Sequence, residues 1–192
     1  MTTPTGPSGV PDPKLPAWFR KQTVADPMSD ERLAAFIGPR WTTYARKFAP
    51  FREDPSFVPT WNWTAALFQV AWFAYRKLYL AALGFWVIPG LVFRALSGSD
   101  AQLTMSELMK PENEHVLMMQ FGVALSSMIL SGGIANWLLF RRARAAVHIA
   151  ALQELGAPEQ LSWLARVGGV NRRGTTFAVL ILLMLTYAAV RS

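Results

Sequence analysis

The sequence predicts an all-α membrane protein with three transmembrane helices, an interfacial amphipathic helix and short cytoplasmic helices. Two observations lead to this prediction. Of the 192 residues, 52% are apolar, and none of the 12 acidic residues lies within 55–99, 115–153 or 160–192. The formal net charge is +7, and the basic residues flank the apolar runs that these acid-free stretches contain. Apolar blocks bounded by basic residues are typical of membrane spans whose cationic ends face the cytoplasm.

Two segments precede the apolar blocks. Residues 1–30 are rich in proline, which fixes φ and removes backbone donors, so we predict an extended tail. Residues 31–60 carry aromatic side chains at three- and four-residue spacing, with a break at Gly38-Pro39. This pattern predicts short cytoplasmic helices followed by a proline-punctuated loop.

Residues 61–192 form the predicted membrane domain. Its first apolar run, 61–75, would measure about 22 Å as a helix, against a hydrocarbon core of about 30 Å. We therefore interpret 61–77 as a segment that lies at the interface or enters the membrane obliquely; the sequence leaves open whether 61–75 spans. Spans are predicted at about 78–95, 116–140 and 175–190, with a cytoplasmic loop at 141–174.

The distribution of lysine and arginine predicts the orientation. Ten of the 19 precede residue 78, one lies in 97–115, and six lie in 141–174. A topology with three spans places both basic clusters, the one before residue 78 and the one in 141–174, in the cytoplasm together with the N-terminus. We therefore expect a multi-pass protein of the bacterial inner membrane. A fourth span at 61–75 would export the basic N-terminal region.

Five short segments resemble the DUF2628 family of small bacterial membrane proteins of unknown function. They are FIGP at 36–39, WNWTAA at 61–66, WFAYRKLY at 72–79, GGIANW at 132–137 and VGGVN at 167–171. The chain departs from the family at Gln69, where small residues or glycine are usual. The resemblance implies a membrane fold and no particular activity.

The first group of candidate residues would anchor the chain to lipid. Tryptophan and tyrosine prefer the headgroup region, and arginine and lysine reach phosphates from the same depth. These residues are Trp61, Trp63, Trp72, Tyr75, Arg76, Lys77, Tyr79, Arg141, Arg142 and Arg144. A plain interfacial anchor explains the pattern; a specific cradle for a lipid or a partner helix, with Asn62 and Gln69 as polar contacts, is the alternative.

The second group would pack helices together. Small residues let helices approach closely in lipid, and the 116–140 span contains Gly122, Ser126, Ser127, Ser131 and Gly133. Internal packing and binding of another subunit predict the same pattern. With Gln120 and Asn136 the span offers more packing surface than three helices need, which favours an external partner.

No constellation in the sequence points to catalysis, to a metal or to a cofactor. The chain has no cysteine, and its two histidines, His115 and His148, lie on opposite sides of the membrane in the predicted topology. The basic residues flank apolar blocks, so membrane lipids are expected partners rather than nucleic acid. We expect a non-catalytic accessory or scaffolding subunit of a membrane complex, such as a respiratory or photosynthetic one. The alternative is a stand-alone organiser or stress factor that binds anionic lipid.

Overall fold

In a computed structural model of the chain, residues 28–53, 56–98, 107, 110–153 and 155–191 are described, and their regular structure is helical. The α-helices are α1 (Asp30–Ile37), α2 (Trp41–Glu53), α3 (Trp63–Tyr75), α4 (Tyr79–Ser97), α5 (Glu114–Leu152), α6 (Ala157–Val167) and α7 (Arg172–Arg191). A 3-10 turn, Pro111–Asn113, leads into α5. The predicted extended tail lies outside the described residues except for its last three.

Helices α1 and α2 are separated at the predicted break. The Ser29 hydroxyl accepts a hydrogen bond from the Arg32 amide and caps the start of α1, where Asp30 and Glu31 complement the helix dipole. Gly38 has φ +81° and ends the helix, because glycine adopts this left-handed backbone without steric cost. Both helices bury aromatic side chains against α5.

Helix α5 contains 39 residues and would measure about 58 Å, almost twice the hydrocarbon thickness. Its first half is apolar and mostly exposed, as a span facing lipid would be. Its second half is buried by α1, α2 and α6 through residues such as Leu139, Ala143 and Val147. We call α1, α2, α6 and this second half of α5 the helical cap.

Two helices of the described chain are long and apolar enough to cross a membrane. They are Tyr79–Ser97, with a mean hydropathy of 1.7, and Pro111–Leu152, with a mean hydropathy of 1.6. They cover the predicted spans 78–95, from its second residue on, and 116–140. The predicted span 175–190 lies within α7, and its role as a third span stays a prediction.

Candidate functional site

Helix α3 is folded back on itself at Gln69. This residue has φ +27° and ψ −103°, which interrupts the helix between Trp63 and Tyr75. The first arm runs along α5 in the opposite direction: the Asn62 amide donates to the Gly132 carbonyl at 2.9 Å, and the Ser127 hydroxyl donates to Oε1 of Gln69 at 3.2 Å. The second arm then runs back along α5, toward Arg142.

The return of the chain follows from helix geometry. Arg142 lies 15 residues after Ser127, or about 22 Å along α5. A straight α3 would carry Arg76 about 10 Å further away from Arg142 than Gln69 is. Instead, Nη1 of Arg142 donates to the Arg76 carbonyl at 2.7 Å. The two arms of α3 therefore form a helical hairpin, whose tip lies beside the middle of the predicted 116–140 span. The 61–75 run thus forms two short arms and not one straight helix. Its position at the interface or within the membrane stays a prediction.

An asparagine pair holds the start of the hairpin against α5. Asn62 and Asn136 are almost fully buried, and Nδ2 of Asn62 donates to Oδ1 of Asn136 at 2.9 Å. Nδ2 of Asn136 donates in turn to the Thr60 carbonyl at 3.1 Å and the Thr60 hydroxyl at 3.0 Å. Oδ1 of Asn62 accepts from the Ala65 amide and so caps α3. The two side chains thus satisfy each other and fix where the hairpin begins.

Small residues of α5 allow the first arm of α3 to pack closely against α5. The Ser131 hydroxyl is fully buried and lies within hydrogen-bond distance of two carbonyls, that of Ala65 at 3.2 Å and that of Met128 in its own helix at 3.0 Å. A Cβ added to Gly132 would lie 3.0 Å from Cβ of Ala66 and 3.0 Å from the Trp61 ring. Ser127 and Ser131, predicted as contacts for an external partner, are therefore used to pack α3 inside the chain.

We expect Gln69→Gly to be more stable than Gln69→Ala. Both variants lose the hydrogen bond to Ser127, but only glycine adopts a positive φ freely, and such strain costs on the order of 1 kcal/mol or more. In a regular helix alanine is favoured over glycine by about 1 kcal/mol. Thermal unfolding of the two variants in detergent measures the difference. The same pair of substitutions at Thr64, an exposed helical position of α3, is the control; alanine proving better at both positions would contradict the fold-back.

Gly132→Ala and Gly133→Ala form a matched pair of neighbouring substitutions. We expect Gly132→Ala to destabilise the protein by about 1–3 kcal/mol, because its Cβ must push Ala66 and Trp61 apart. A Cβ on Gly133 meets nothing within 4 Å, so that variant should gain up to about 1 kcal/mol of helix propensity. The free energy of unfolding separates the two. Equal values for both variants would show that α3 does not approach α5 at Gly132.

A cation cluster, defined as Arg76, Lys77 and Arg142, lies where the hairpin ends. Arg76 is 4% exposed; its Nη1 donates to the Ile37 carbonyl at 3.3 Å, and its guanidinium lies 4.7 Å from the centre of the Tyr44 ring. Nε of Arg76 is buried without a hydrogen-bond partner. The side chain therefore joins the end of α1 to the end of α3.

The other two cations bind the end of α6. Nζ of Lys77 donates to the carbonyls of Arg166 at 2.9 Å, Val167 at 3.4 Å and Gly168 at 2.5 Å. Nη2 of Arg142 donates to the Val167 carbonyl at 3.2 Å. Helix C-termini carry partial negative charge, so these carbonyls stabilise cations without a carboxylate. Burial lowers the pKa of Arg142 from its ordinary value, and the phenol of Tyr79 opposes that shift.

The ion pairs Arg52–Asp30 and Lys110–Glu112 do not include the cation cluster, whose members bind backbone carbonyls. Three helix ends therefore provide the counter-charge. Helix α7 starts at the same place, because the Asn171 amide donates to the Tyr75 carbonyl at 2.9 Å and Nδ2 of Asn171 donates to the Tyr79 hydroxyl at 2.8 Å. The cluster thus ties the helical cap to the starts of α4 and α7.

This geometry corrects part of the predicted lipid anchor. Arg76 and Trp72 are buried, and Lys77 and Arg142 bind backbone carbonyls, so none of the four is free to reach a headgroup. Tyr75 is partly buried beside them. The residues that remain exposed are Trp61, Trp63, Tyr79, Arg141 and Arg144.

The predicted packing residues fall into two sets. Ser127 and Ser131 are buried against the hairpin. Gly122 and Ser126 are exposed and line a groove between α4 and α5, while Gly133 is half-buried with free space around its Cα. No group of three or more histidine, aspartate or glutamate residues within the described ranges could hold a metal ion.

The architecture is that of a helical protein with two helices capable of crossing a membrane and a helical hairpin beside one of them. The chain belongs to the DUF2628 family: the family model, described as a protein of unknown function, matches residues 19–144. That range contains the hairpin, the asparagine pair and the whole cation cluster. The segment VGGVN at 167–171 lies beyond it. Comparisons with curated proteins and with solved structures find no match.

Proposed function

We propose that the chain is a non-catalytic accessory subunit of a protein complex in the bacterial inner membrane, with its N-terminus and helical cap in the cytoplasm. The observation that carries the proposal is the exposure of α4. Of its 19 residues only Ala82 is buried, and Leu80, Val87 and Leu91 form an apolar stripe that faces away from α5. A partner helix that packs on this stripe would replace its contacts with lipid.

The use of the polar side chains supports a scaffolding role. Asn62, Asn136 and Ser131 hold the hairpin, and the cation cluster joins the ends of α1, α3 and α6. These polar groups bind each other and the backbone, so they contribute to the structure of the chain. The orientation is supported by the basic residues near the starts of α4 and α7 and after the α5 span, which meet at one end of the bundle.

The test is a pull-down of the tagged full-length protein from its native membrane in mild detergent, with mass spectrometry and an absorption spectrum of the eluate. A defined set of stoichiometric subunits is expected, and the spectrum shows whether the complex carries haem or chlorophyll. The double variant Leu80→Ala, Leu91→Ala should lose those subunits. Leu117→Ala, Leu125→Ala on α5 is the matched control, because both leucines are also exposed.

A stand-alone protein that organises anionic lipid is the second candidate function. It is favoured by Arg141 and Arg144, which are exposed and lie just beyond the α5 span. Recovery of the protein alone, monodisperse and carrying lipid would support this candidate and overturn the subunit proposal. If both double variants lose the subunits to the same extent, the α4 stripe is not the docking surface.

A further inference from the structure

The α4–α5 groove is an elongated cavity of about 670 Å³. Its lining is apolar along most of its length and includes Phe85, Ile88, Val92, Met119, Val123 and Leu130. We propose that this groove binds one acyl chain of an anionic phospholipid, and that Arg141 binds the lipid phosphate. The site rests on insertion of the protein in a membrane and not on whether the protein is a subunit of a complex.

The length and the apolar lining of the groove suit a hydrocarbon chain. The groove extends along α5 from Met119 to Ile134, or about 22 Å. A single extended acyl chain is narrow enough to lie in it.

Two small residues of α5 make the groove deep enough. Gly122 and Ser126 line it, and a Cβ on Gly122 would meet nothing within 4 Å. Ser127 also lines it, but its hydroxyl donates to Gln69 and so presents little polarity to the cavity. Apolar walls and free space at small residues are what binding of an alkyl chain requires.

The charge at one end of the groove identifies the headgroup. Arg141 lies seven residues after Ile134, which is two helical turns and about 10 Å further along the same face of α5. It is exposed, forms no salt bridge within the described residues, and its guanidinium lies 4.9 Å from the centre of the Trp137 ring. No acidic residue occurs in 115–153 to compete for it. The spacing leaves room for the glycerol between chain and phosphate, and guanidinium binds phosphate strongly.

The neighbouring cations do not offer the same site. Arg142 donates to the carbonyls of Arg76 and Val167 and points into the helical cap. Arg144 lines a separate polar cleft with Arg52 and His148. Arg141 is therefore the basic residue that continues the face of the groove.

The test is native mass spectrometry of the full-length protein in detergent, with added phosphatidylglycerol or phosphatidylcholine. We expect one retained lipid per chain and a preference for phosphatidylglycerol. Ser126→Leu fills the groove and should lose the bound lipid. Ala124→Leu is the matched control, because it adds the same side chain two residues away, at an exposed position outside the groove. Equal lipid retention by the two variants, or no retained lipid in the unmodified protein, would overturn the proposal.

The headgroup assignment has its own variants. Arg141→Gln should lower the preference for phosphatidylglycerol about fivefold, the effect of one basic residue near an anionic surface. Arg46→Gln, on the exposed side of α2, should leave it unchanged. If Arg94→Gln at the far end of α4 lowers the preference and Arg141→Gln does not, the headgroup lies at the opposite end and the assignment to Arg141 is wrong. None of these outcomes depends on recovering partner subunits.

Discussion

Replacing Gly168 by alanine is expected to destabilise the helical cap by about 4 kcal/mol or more, the range reserved for substitutions that the fold cannot absorb. A Cβ at this position would lie 2.1 Å from the Phe36 carbonyl oxygen and 2.8 Å from its carbonyl carbon. These are backbone atoms, so no side-chain rotation relieves the contact. The ends of α1 and α6 would have to separate.

That separation would break other interactions of the junction. The Gly169 amide donates to the Phe36 carbonyl at 2.7 Å, and Lys77 binds the Gly168 carbonyl. We expect thermal unfolding in detergent to show a lower midpoint for Gly168→Ala, and limited trypsin digestion to cut at Arg166, which lies in the last turn of α6.

Gly156→Ala is the control for the Gly168 variant. It makes the same substitution at the other end of α6, where Cβ would lie 3.4 Å from a flexible Glu159 carboxylate. Loss of the glycine cap should cost less than about 1 kcal/mol. If the two variants unfold alike, α1 and α6 do not meet at Gly168.

The sequence predicts best those features that local residues determine. The break at Gly38-Pro39 was predictable because glycine and proline end helices through their own backbone preferences. The start of α6 follows from the same preferences, because Gly156 caps it and Pro158 lies in its first turn. The predicted loop at 141–174 instead contains the end of α5 and the whole of α6. These signals do not depend on what the rest of the chain does.

The fold-back of α3 is a different case. Gln69 is not a turn residue, and nothing around it resembles a helix break, so the pattern of 61–75 indicates one short helix. The only signal was length, because the run is too short to span. The sequence offers Asn62 as a polar contact for a lipid or a partner helix, whereas its partner is Asn136, 74 residues away in the same chain.

The role of the cation cluster could not be predicted from residue type. Arg76 next to aromatic residues fits an interfacial anchor as well as a buried clamp. The difference depends on whether a backbone carbonyl, here that of Ile37, lies within reach of the guanidinium. Because every residue has a carbonyl, the sequence does not mark which one will be bound. Gly168 shows the same limit: the sequence predicts a loop there, but not that the backbone of Phe36 approaches it.

Replacing Asn136 by leucine is expected to destabilise the protein by about 3 kcal/mol. The substitution leaves Nδ2 of Asn62 without its acceptor and the Thr60 carbonyl without its side-chain donor, and each unsatisfied buried group costs about 1–3 kcal/mol. Gln120→Leu is the control, because it removes an amide from an exposed position of the same helix. It should change stability by less than about 0.5 kcal/mol. Thermal unfolding in detergent, followed by circular dichroism, compares them.

A double-mutant cycle tests whether Asn62 and Asn136 act as a pair. Asn62→Leu should destabilise the protein for two reasons. Oδ1 of Asn136 loses its hydrogen-bond donor, and α3 loses its cap. When both residues are leucine, no orphaned amide remains between them, so the loss should be smaller than the sum of the two single losses by about 1 kcal/mol or more. Strict additivity would mean that the two amides do not depend on each other, and that the hairpin is held to α5 by Ser131 and the close approach at Gly132 instead.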